Sequence, residues 1–389
     1  MRIVNKKIIL ALSFICLLTN TEAQSTKKIF ADAEKQVSLM YNEALVNRME
    51  RKIFPRTLRN DSLHLVVSND WTSGFWPGIL WYMYEYTKKP EWKTKAEEVT
   101  ALMEREPKNR GSHDVGFKVY NSYGNGYRLT NNQEYKKQIL QGAVTLATRF
   151  NAKVGCIRSW DFGKWQYPVI VDNMMNLELL FAATRFSGDS LYYKIAVSHA
   201  NTTMKNHFRS DYSSFHVMDY DTITGKVIGG STHQGYADAS AWARGQAWAL
   251  YGYTMCYRET KNPAYLKQAE NIAAYLLKHP LLPVDKVPYW DFNVPDLSKE
   301  PRDASAAAII ASALYELKDY SSNKKQYISA ADKILKSLTQ YYRATLGSSK
   351  GFILLHSTGN KPFNGEVDVP LIYADYYYLE ALLRKKSKQ

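Results

Sequence analysis

The chain has 389 residues, and its 51 Lys and Arg residues outnumber its 37 Asp and Glu residues, which gives a formal net charge of +14. Three Cys residues are too few for a disulfide framework, and no Cys/His cluster has the spacing of a zinc site. No Pro-, Gly- or Ser-rich stretch divides the chain, so we expect one domain rather than several joined by linkers.

The first 23 residues are typical of a secretory signal peptide. Basic residues at positions 2, 6 and 7 precede an apolar run over residues 8–18, and a polar stretch then ends at Ala23, the expected cleavage site. The apolar run is too short to span a bilayer. We therefore predict a mature chain of residues 24–389 that is soluble and exported, in the periplasm of a bacterium with two membranes.

The predicted export affects how the net charge and the two remaining cysteines are interpreted. A basic surface attracts polyanions, and outside the cytoplasm the natural polyanion is an acidic polysaccharide rather than nucleic acid. An oxidising compartment also permits one bridge between Cys156 and Cys256. The sequence leaves that bridge open, because only the compartment argues for it.

One helical pattern recurs along the chain. A turn is followed by an aromatic residue, with a small or apolar residue four positions later. This spacing places both side chains on one helix face, and the Pro, Ser, Asn and Asp residues of the turns are typical of helix starts. The pairs are Trp92 and Ala96, Tyr135 and Ile139, Tyr192 and Ala196, Tyr265 and Ala269, and Tyr327 and Ala331.

Each of these amphipathic helices follows a more apolar helix that is rich in small and aromatic residues. A further amphipathic helix is predicted over residues 25–49, and a weaker inner helix over residues 113–122. Strand patterns are confined to loops such as 215–220 and 351–355. The other predicted apolar helices span residues 75–86, 174–186, 242–257, 304–317 and 371–383.

Apolar helices that alternate with amphipathic helices predict two layers, with the apolar helices inside. Six such hairpins that close on themselves make an all-α fold, the (α/α)6 barrel. An open stack of hairpins is the alternative. We favour closure because the repeats are irregularly spaced, from about 40 to about 70 residues apart, and long insertions suit loops around a barrel mouth.

Chemically unusual residues collect in the segments that precede the inner helices. Because inner helices of such a barrel run parallel, their N-terminal ends face one mouth, where helix dipoles and free N–H groups suit an anion. Asp114 and Asp172 each stand at a helix start, where Asp is a common cap. Asp172 also follows the apolar segment 169–171, and burial beside a second carboxylate raises a carboxyl pKa. Two carboxyls with separated pKa values supply one acid and one anion.

Cationic and aromatic residues accompany these carboxyls. Arg244 lies in the first turns of an apolar helix, where a buried Arg requires a partner, and its fork fits a carboxylate ligand. Trp242 and Trp248 are six positions apart and project from different helix faces, so at least one leaves the core. The histidines at positions 113, 216 and 233 can equally be neutral core residues that form hydrogen bonds.

Three segments stand out by their length and order. They are His113-Asp114-Val-Gly-Phe, Val-Asp172-Asn-Met-Met-Asn and the block HQGYADASAWARGQAW over residues 233–248. They resemble the unsaturated glucuronyl hydrolases of glycoside hydrolase family 88. Segments 71–78 and 366–384 are similar too, so the resemblance covers nearly the whole mature chain. It implies an (α/α)6 barrel with no metal and no organic cofactor.

The resemblance also implies a reaction. A polysaccharide lyase leaves a C4=C5 double bond in a terminal uronic acid; an acid protonates C4, water attacks C5, and the hemiketal opens and releases the remaining sugar. By position, Asp172 resembles the general acid that then activates the water, and Asp114 resembles its required partner. The implied substrate contacts are the polar residues His113, His216, Gln234 and Arg244 and the aromatic residues Trp71, Phe75, Trp160, Trp242 and Trp248.

Three other functions stay open. An unsaturated rhamnogalacturonyl hydrolase would use the same barrel and chemistry on pectin fragments, although the segment from Arg244 to Trp248 favours the glucuronyl enzymes. A non-catalytic periplasmic sugar-binding protein would need neither Asp114 nor Asp172. An ordinary inverting glycosidase would hydrolyse saturated substrates.

The substrate and the assembly are less defined. Residues 355–361 lie where members of the family recognise the next sugar and its sulfation. Lys361 and the basic charge favour sulfated glycosaminoglycan fragments. The sequence does not indicate an oligomeric state.

Overall fold

The computed structural model describes the backbone of residues 6–386 and the side chains of residues 26–386. The signal peptide predicted for residues 1–23 lies outside the residues whose side chains are described, and it stays a prediction. Within the described part of the chain, no helix combines the length and the apolar character that a bilayer span requires.

Helices dominate the described residues, and a π-helix over Gly116–Gly124 continues directly into α4. The α-helices are α1 (Lys6–Asn47), α2 (Phe75–Thr87), α3 (Pro90–Ala101), α4 (Asn125–Thr130), α5 (Gln133–Ala147), α6 (Leu177–Ser187), α7 (Ser190–Asn206), α8 (Ala243–Thr260), α9 (Pro263–Lys278), α10 (Ala304–Leu317), α11 (Lys324–Tyr341) and α12 (Ile372–Lys386).

The helices form two layers, and the inner layer closes into a ring. The inner helices are α2, the π-helix with α4, α6, α8, α10 and α12, and each packs against the next. Helix α12 in turn packs against α2, which completes the ring. Helices α1, α3, α5, α7, α9 and α11 lie outside. The closed contacts confirm the predicted (α/α)6 barrel and exclude the open stack.

Four of the hairpins share one short connection, which explains the recurring sequence pattern. The residue after each inner helix has a left-handed backbone that ends the helix. These residues are Lys88 (φ 59°), Asn131 (φ 55°), Gly188 (φ 76°) and Lys261 (φ 57°). The next residue starts the outer helix, and in three hairpins its side-chain oxygen caps a backbone N–H. These caps are Asn132, Asp189 and Asn262.

Short strands lie in the loops, as the sequence pattern predicts for residues 215–220. The other predicted strand, at 351–355, is wrong: a 3-10 turn at Ser349–Gly351 begins the segment, and Leu354 forms a single bridge with Arg343. Three small antiparallel sheets occur in the described residues. Their strands are β1 (Phe54–Arg59), β2 (Ser62–Val66), β3 (Phe150–Asn151), β4 (Cys156–Ile157), β5 (Pro168–Ile170), β6 (Val217–Tyr220) and β7 (Val227–Ser231).

Cys156 and Cys256 are both buried free thiols. Cys156 lies in β4, at the end of a small sheet, and Cys256 lies within the inner helix α8. The bridge that the sequence left open is therefore not formed.

Gly116 allows the π-helix to approach the 3-10 helix over Val171–Asn176 very closely. A Cβ atom at Gly116 would lie 2.5 Å from the Cα of Asn176 and 2.7 Å from its Oδ1. Because a backbone atom cannot rotate away as a side chain does, these two segments can meet only at a glycine.

We predict that Gly116→Ala lowers the free energy of unfolding by about 1–3 kcal/mol, the usual cost of overpacking. Urea denaturation measures the change. Gly229→Ala is the matched control, because a Cβ there meets nothing within 4 Å. Equal stability of the two variants would contradict the close approach.

Candidate active site

Asp172 is a buried carboxyl at the mouth of the barrel. It lies in the Val171–Asn176 3-10 helix that leads into α6, and 7% of its surface is exposed. Trp248 donates a hydrogen bond to the carboxyl, whereas Oδ2 has no hydrogen-bond partner among the described residues. Burial raises the pKa of Asp172 to about 7; Asp114 adds to this increase, and Arg244 opposes it. The group can therefore hold a proton near neutral pH.

Asp114 lies next to Asp172 in space, just before the π-helix. Asn176, from the same 3-10 helix as Asp172, connects the two segments. Its Nδ2 donates to Asp114 Oδ1 over 3.3 Å, and its Oδ1 accepts the backbone N–H of Phe117 at 3.0 Å. The structure thus brings together the two carboxyls that the sequence analysis selected as catalytic.

His216 faces Asp172 across the site. The Nε2 atom of His216 is 3.7 Å from Asp172 Oδ2, just beyond hydrogen-bond distance. The other ring nitrogen, Nδ1, accepts the backbone N–H groups of His233 at 3.0 Å and Gln234 at 3.2 Å. Burial lowers the pKa of His216 well below its usual value, so the ring is neutral. Because Nδ1 accepts, the proton is on Nε2, which points toward Asp172.

His113 faces Asp114. Its Nδ1 lies 2.5 Å from the backbone oxygen of Ser159, and its Nε2 lies 3.3 Å from Asp114 Oδ1. The second contact lacks hydrogen-bond geometry, so Nε2 has no hydrogen-bond partner in the described structure. Burial lowers the pKa of His113, although the neighbouring Asp114 acts in the opposite direction.

The predicted aromatic residues divide into a wall and a floor. Trp160 belongs to the wall: its ring centroid is 6.4 Å from that of His113 and 6.2 Å from that of His216, and its indole Nε1 has no hydrogen-bond partner among the described residues. Trp242 packs against His216 at 4.7 Å. Trp71 is partly exposed at the mouth, with its ring 4.9 Å from Tyr373.

Phe75 and Trp248 form the floor below this wall. Phe75 is fully buried, and its ring packs against Phe117 at 5.4 Å and Tyr376 at 5.2 Å. Its ring is therefore core, not a surface that a sugar can touch. Trp248 is also buried, 5.2 Å from Phe117, but its hydrogen bond to Asp172 makes it part of the surroundings of that carboxyl.

Arg244 and Gln234 hold a loop rather than presenting free donors. Arg244 is 1% exposed; its Nη1 donates to Asp303 Oδ2 at 2.8 Å and to the carbonyl of Thr358, and its Nη2 donates to the carbonyl of Gly359. The amide of Gln234 donates to the same Gly359 carbonyl at 3.1 Å. Both residues thus fix the segment that the sequence analysis associated with the next sugar.

Asp303 was missed by the sequence analysis. Its Oδ1 caps α10 by accepting the N–H of Ser305 at 3.0 Å, while its other oxygen binds Arg244. A buried Arg needs an acidic partner, and Asp303 directly before the apolar helix 304–317 was the available signal.

The loop that Arg244 binds forms the outer rim of the site. Isolated bridges pair Ser357 with Val369 and Asn360 with Gly365, so the segment folds as a hairpin. Lys361 near its tip binds Glu300 Oε2 at 2.7 Å. The positive charge of Lys361, which the sequence analysis assigned to sulfate recognition, is therefore paired with a carboxylate of the protein.

Two exposed aromatic residues at the rim were also missed. Phe363 is 64% exposed and Phe162 is 58% exposed. Their rings lie 4.9 Å and 6.0 Å from the ring of His233, and Phe162 stacks on Trp160 at 5.2 Å. Exposure depends on the tertiary fold, so the sequence pattern could not separate these residues from core phenylalanines.

Loss of the Arg244 guanidinium should lower the stability of the fold more than loss of a surface cation does. We predict that Arg244→Met lowers the free energy of unfolding by about 3–5 kcal/mol, because it leaves the buried Asp303 carboxylate unpaired. Urea denaturation provides the measurement. Arg185→Met is the control: the Arg185 side chain is 45% exposed and pairs with Glu259, so its loss should cost at most about 1 kcal/mol. A similar decrease in the free energy of unfolding in both variants would contradict the buried ion pair between Arg244 and Asp303.

Comparison with known proteins extends these observations. Residues 44–384 match the family described as Glycosyl Hydrolase Family 88. An unsaturated glucuronyl hydrolase of Formosa agariphila is 51% identical, over 98% of this chain and 97% of that protein. An unsaturated chondroitin disaccharide hydrolase of Streptococcus pneumoniae is 36% identical, over 85% of this chain and 86% of that protein.

Solved structures agree with the sequence comparisons. The crystal structure of an unsaturated glucuronyl hydrolase specific for heparin has a TM-score of 0.88 at 46% identity, over 92% of this chain and 97% of that one. The Bacillus sp. GL1 unsaturated glucuronyl hydrolase, responsible for glycosaminoglycan degradation, has a TM-score of 0.85 at 32% identity, over 92% and 97%. The closed two-layer barrel and the near full-length matches show that the chain belongs to glycoside hydrolase family 88.

Proposed function

We propose that the enzyme removes the 4,5-unsaturated uronic acid from the non-reducing end of lyase-generated glycosaminoglycan oligosaccharides. The observation that supports this most strongly is the state of Asp172: a buried carboxyl with a raised pKa and one oxygen free of hydrogen bonds. The relatives named above act on unsaturated glucuronyl or chondroitin substrates, which favours this activity over that of a rhamnogalacturonyl hydrolase.

The reaction starts with proton transfer from Asp172 to C4 of the unsaturated ring. An enol ether needs one strong, correctly placed proton donor, and a carboxyl with a pKa near the working pH provides it. Positive charge then develops at C5 and the ring oxygen, where the newly formed Asp172 carboxylate stabilises it. Trp248 donates a hydrogen bond to that carboxylate, and the Nε2 atom of His216 lies 3.7 Å from its Oδ2.

Hydration follows on the same atoms. The Asp172 carboxylate takes a proton from water as the water oxygen bonds to C5, which restores the acid form of the enzyme. The product is a hemiketal at C5; its opening breaks the C5–ring oxygen bond, and the resulting hemiacetal at C1 expels the remaining sugar. Because the proton goes to carbon, the separation of the two carboxyls does not predict retention or inversion.

The outer rim is suited to the sugar that is released. Phe162, Phe363 and the ring of His233 offer apolar faces beside Trp160, and sugar rings pack on such surfaces. The hairpin that carries Phe363 is anchored by Arg244, so this platform has a fixed position relative to Asp172. A glycosaminoglycan fragment is the proposed partner; its acidic groups also match the net charge of +14.

We also propose that the enzyme is exported to the periplasm. The basic start, the apolar run and the small residue at Ala23 support this proposal. Cleavage at that point would leave Gln24 as the first residue of the mature enzyme.

Asp172→Asn should abolish turnover, with a loss of at least about 10³-fold in kcat, because an amide cannot protonate C4. Loss of ultraviolet absorbance from unsaturated disaccharides of heparin, chondroitin, hyaluronan and pectin measures both the activity and the substrate preference. The control is Asp161→Asn, which removes a half-exposed carboxyl bound to Arg149 and should leave turnover nearly unchanged.

Two outcomes would contradict the proposal. Near-normal turnover by the Asp172→Asn variant would remove Asp172 from its role. Release of saturated sugars without loss of absorbance by the wild-type enzyme would indicate an ordinary glycosidase.

The activity should also depend on pH with a defined sign. Asp172 must be protonated to act as the acid, and its pKa is about 7. We therefore expect kcat to be highest below about pH 7 and to fall as the pH rises through that value. Unfolding measured over the same range controls for loss of structure. Activity that increases from neutral into alkaline pH would exclude a protonated Asp172 as the working form.

A further inference from the structure

The carboxylate of Glu300 holds the only Lys or Arg side chain in the rim hairpin, residues 357–369. This side chain is Lys361, and its Nζ lies 2.7 Å from Glu300 Oε2. The same oxygen accepts a hydrogen bond from Trp290 Nε1 at 2.6 Å. The ammonium of Lys361 also lies 5.4 Å from the centroid of the Trp290 ring. Lys361 is thus held both by a negative charge and by an aromatic face.

This ion pair is partly shielded from water. The Glu300 side chain is 13% exposed and the Lys361 side chain is 30% exposed. Trp290 is buried, and its backbone N–H donates to the carbonyl of Pro301 at 3.1 Å, which places the indole beside the Glu300 segment. Water and side-chain freedom weaken an exposed ion pair, whereas here the indole N–H fixes the carboxylate. Withdrawal of Lys361 toward another anion would leave Glu300 unpaired in a largely buried place, which is costly.

The position of Lys361 brings this pair close to the sugar that is released. Two residues before Lys361, the carbonyl of Gly359 is bound by Arg244. Two residues after it, the ring of Phe363 lies 4.9 Å from the ring of His233. Lys361 therefore lies between the anchor of the hairpin and the aromatic platform proposed for the next sugar. A negative group on the hairpin side of that sugar would meet an ion pair rather than a free cation.

Other basic side chains around the hairpin are also paired with carboxylates. The pairs are Arg56 with Glu366 at 2.5 Å and with Asp70 at 2.6 Å, His356 with Asp368 at 2.8 Å, and Arg302 with Asp285 at 2.6 Å. These side chains thus add no unpaired positive charge to this part of the rim, although the whole chain has a net charge of +14.

We propose that Glu300 determines the preference of the enzyme for sulfation, because it keeps the charge of Lys361 matched. The inference rests on the function proposed above and specifies its substrate: the released sugar carries no sulfate group on the side that faces the hairpin. A sulfate placed there would lose hydration without gaining a free positive charge. Glu300 acts through Lys361, so it is a positioning residue that sets specificity.

Glu300→Gln tests this role, because the amide keeps an oxygen for the Trp290 N–H and leaves the Lys361 charge unmatched. The measurement is kcat/KM, at low ionic strength, for unsaturated chondroitin disaccharides that have no sulfate or one sulfate at C4 or C6 of the second sugar. The wild type should prefer the unsulfated disaccharide. In Glu300→Gln the ratio of sulfated to unsulfated kcat/KM should rise by about fivefold for at least one sulfated disaccharide, the effect of two unit charges about 4 Å apart in water.

Two further variants separate the freed Lys361 charge from other effects. The double variant Glu300→Gln/Lys361→Met removes both charges and should return the ratio to nearly that of the wild type. Asp296→Asn removes a negative charge from the same loop, where the Asp296 side chain is 49% exposed and pairs with Lys299. Asn keeps the oxygen that caps the N–H of Ser298, and this variant should leave the ratio unchanged.

Three results would overturn the role of Glu300. They are a wild type that prefers a sulfated disaccharide, an unchanged ratio in Glu300→Gln, and a gain that persists in the double variant or occurs equally in Asp296→Asn. Failure of the proposed function gives a different result, because the wild type would then degrade none of these disaccharides. Turnover of the unsulfated disaccharide together with an unchanged ratio would refute the role of Glu300 alone.

Discussion

The removal of one carboxyl from water is the constraint on which the site depends. Asp172 is placed in a short 3-10 helix between β5 and α6, where the barrel wall covers it. A buried carboxyl favours its neutral form, so burial converts an ordinary aspartate into an acid that holds its proton near pH 7. The positive charge of Arg244 and the N–H group of Trp248 moderate this effect, so that the carboxylate formed by proton transfer is tolerated.

The barrel has two parts that matter for this chemistry: a rigid ring of inner helices and a mouth that is formed by loops. The inner helices close into a ring, and the segments at their N-terminal ends position Asp114 and Asp172, the two carboxyls that we propose as catalytic. One buried ion pair, between Arg244 and Asp303, then ties the rim hairpin to α8 and α10. A buried pair of this kind contributes little net stability, but it fixes the distance from the acid to the platform at Phe363. The relative positions of the acid and the rim residues are thus fixed by a few contacts between the inner helices and one loop.

Much of this arrangement could be predicted from the sequence, because helix periodicity and short hairpin connections are local signals. The recurring turn before Tyr265 and its equivalents predicted the alternating layers, and the order of the motifs predicted the family. The partners of individual side chains could not be predicted, since they depend on contacts between distant segments. Arg244 was expected to bind a ligand carboxylate, yet it binds Asp303 and two carbonyls of the hairpin; Phe75 was expected in the wall and lies in the floor.

In the proposed hydration, the proton goes to carbon rather than to a glycosidic oxygen. A crystal structure of the Asp172→Asn variant with an unsaturated disaccharide distinguishes these two destinations. Hydration requires the amide of residue 172 to lie within about 3.5 Å of C4, in line for transfer, with the double bond intact between the aromatic residues. An amide that instead contacts the oxygen between the two sugars, with C4 directed away from it, would contradict hydration and indicate direct cleavage of the glycosidic bond.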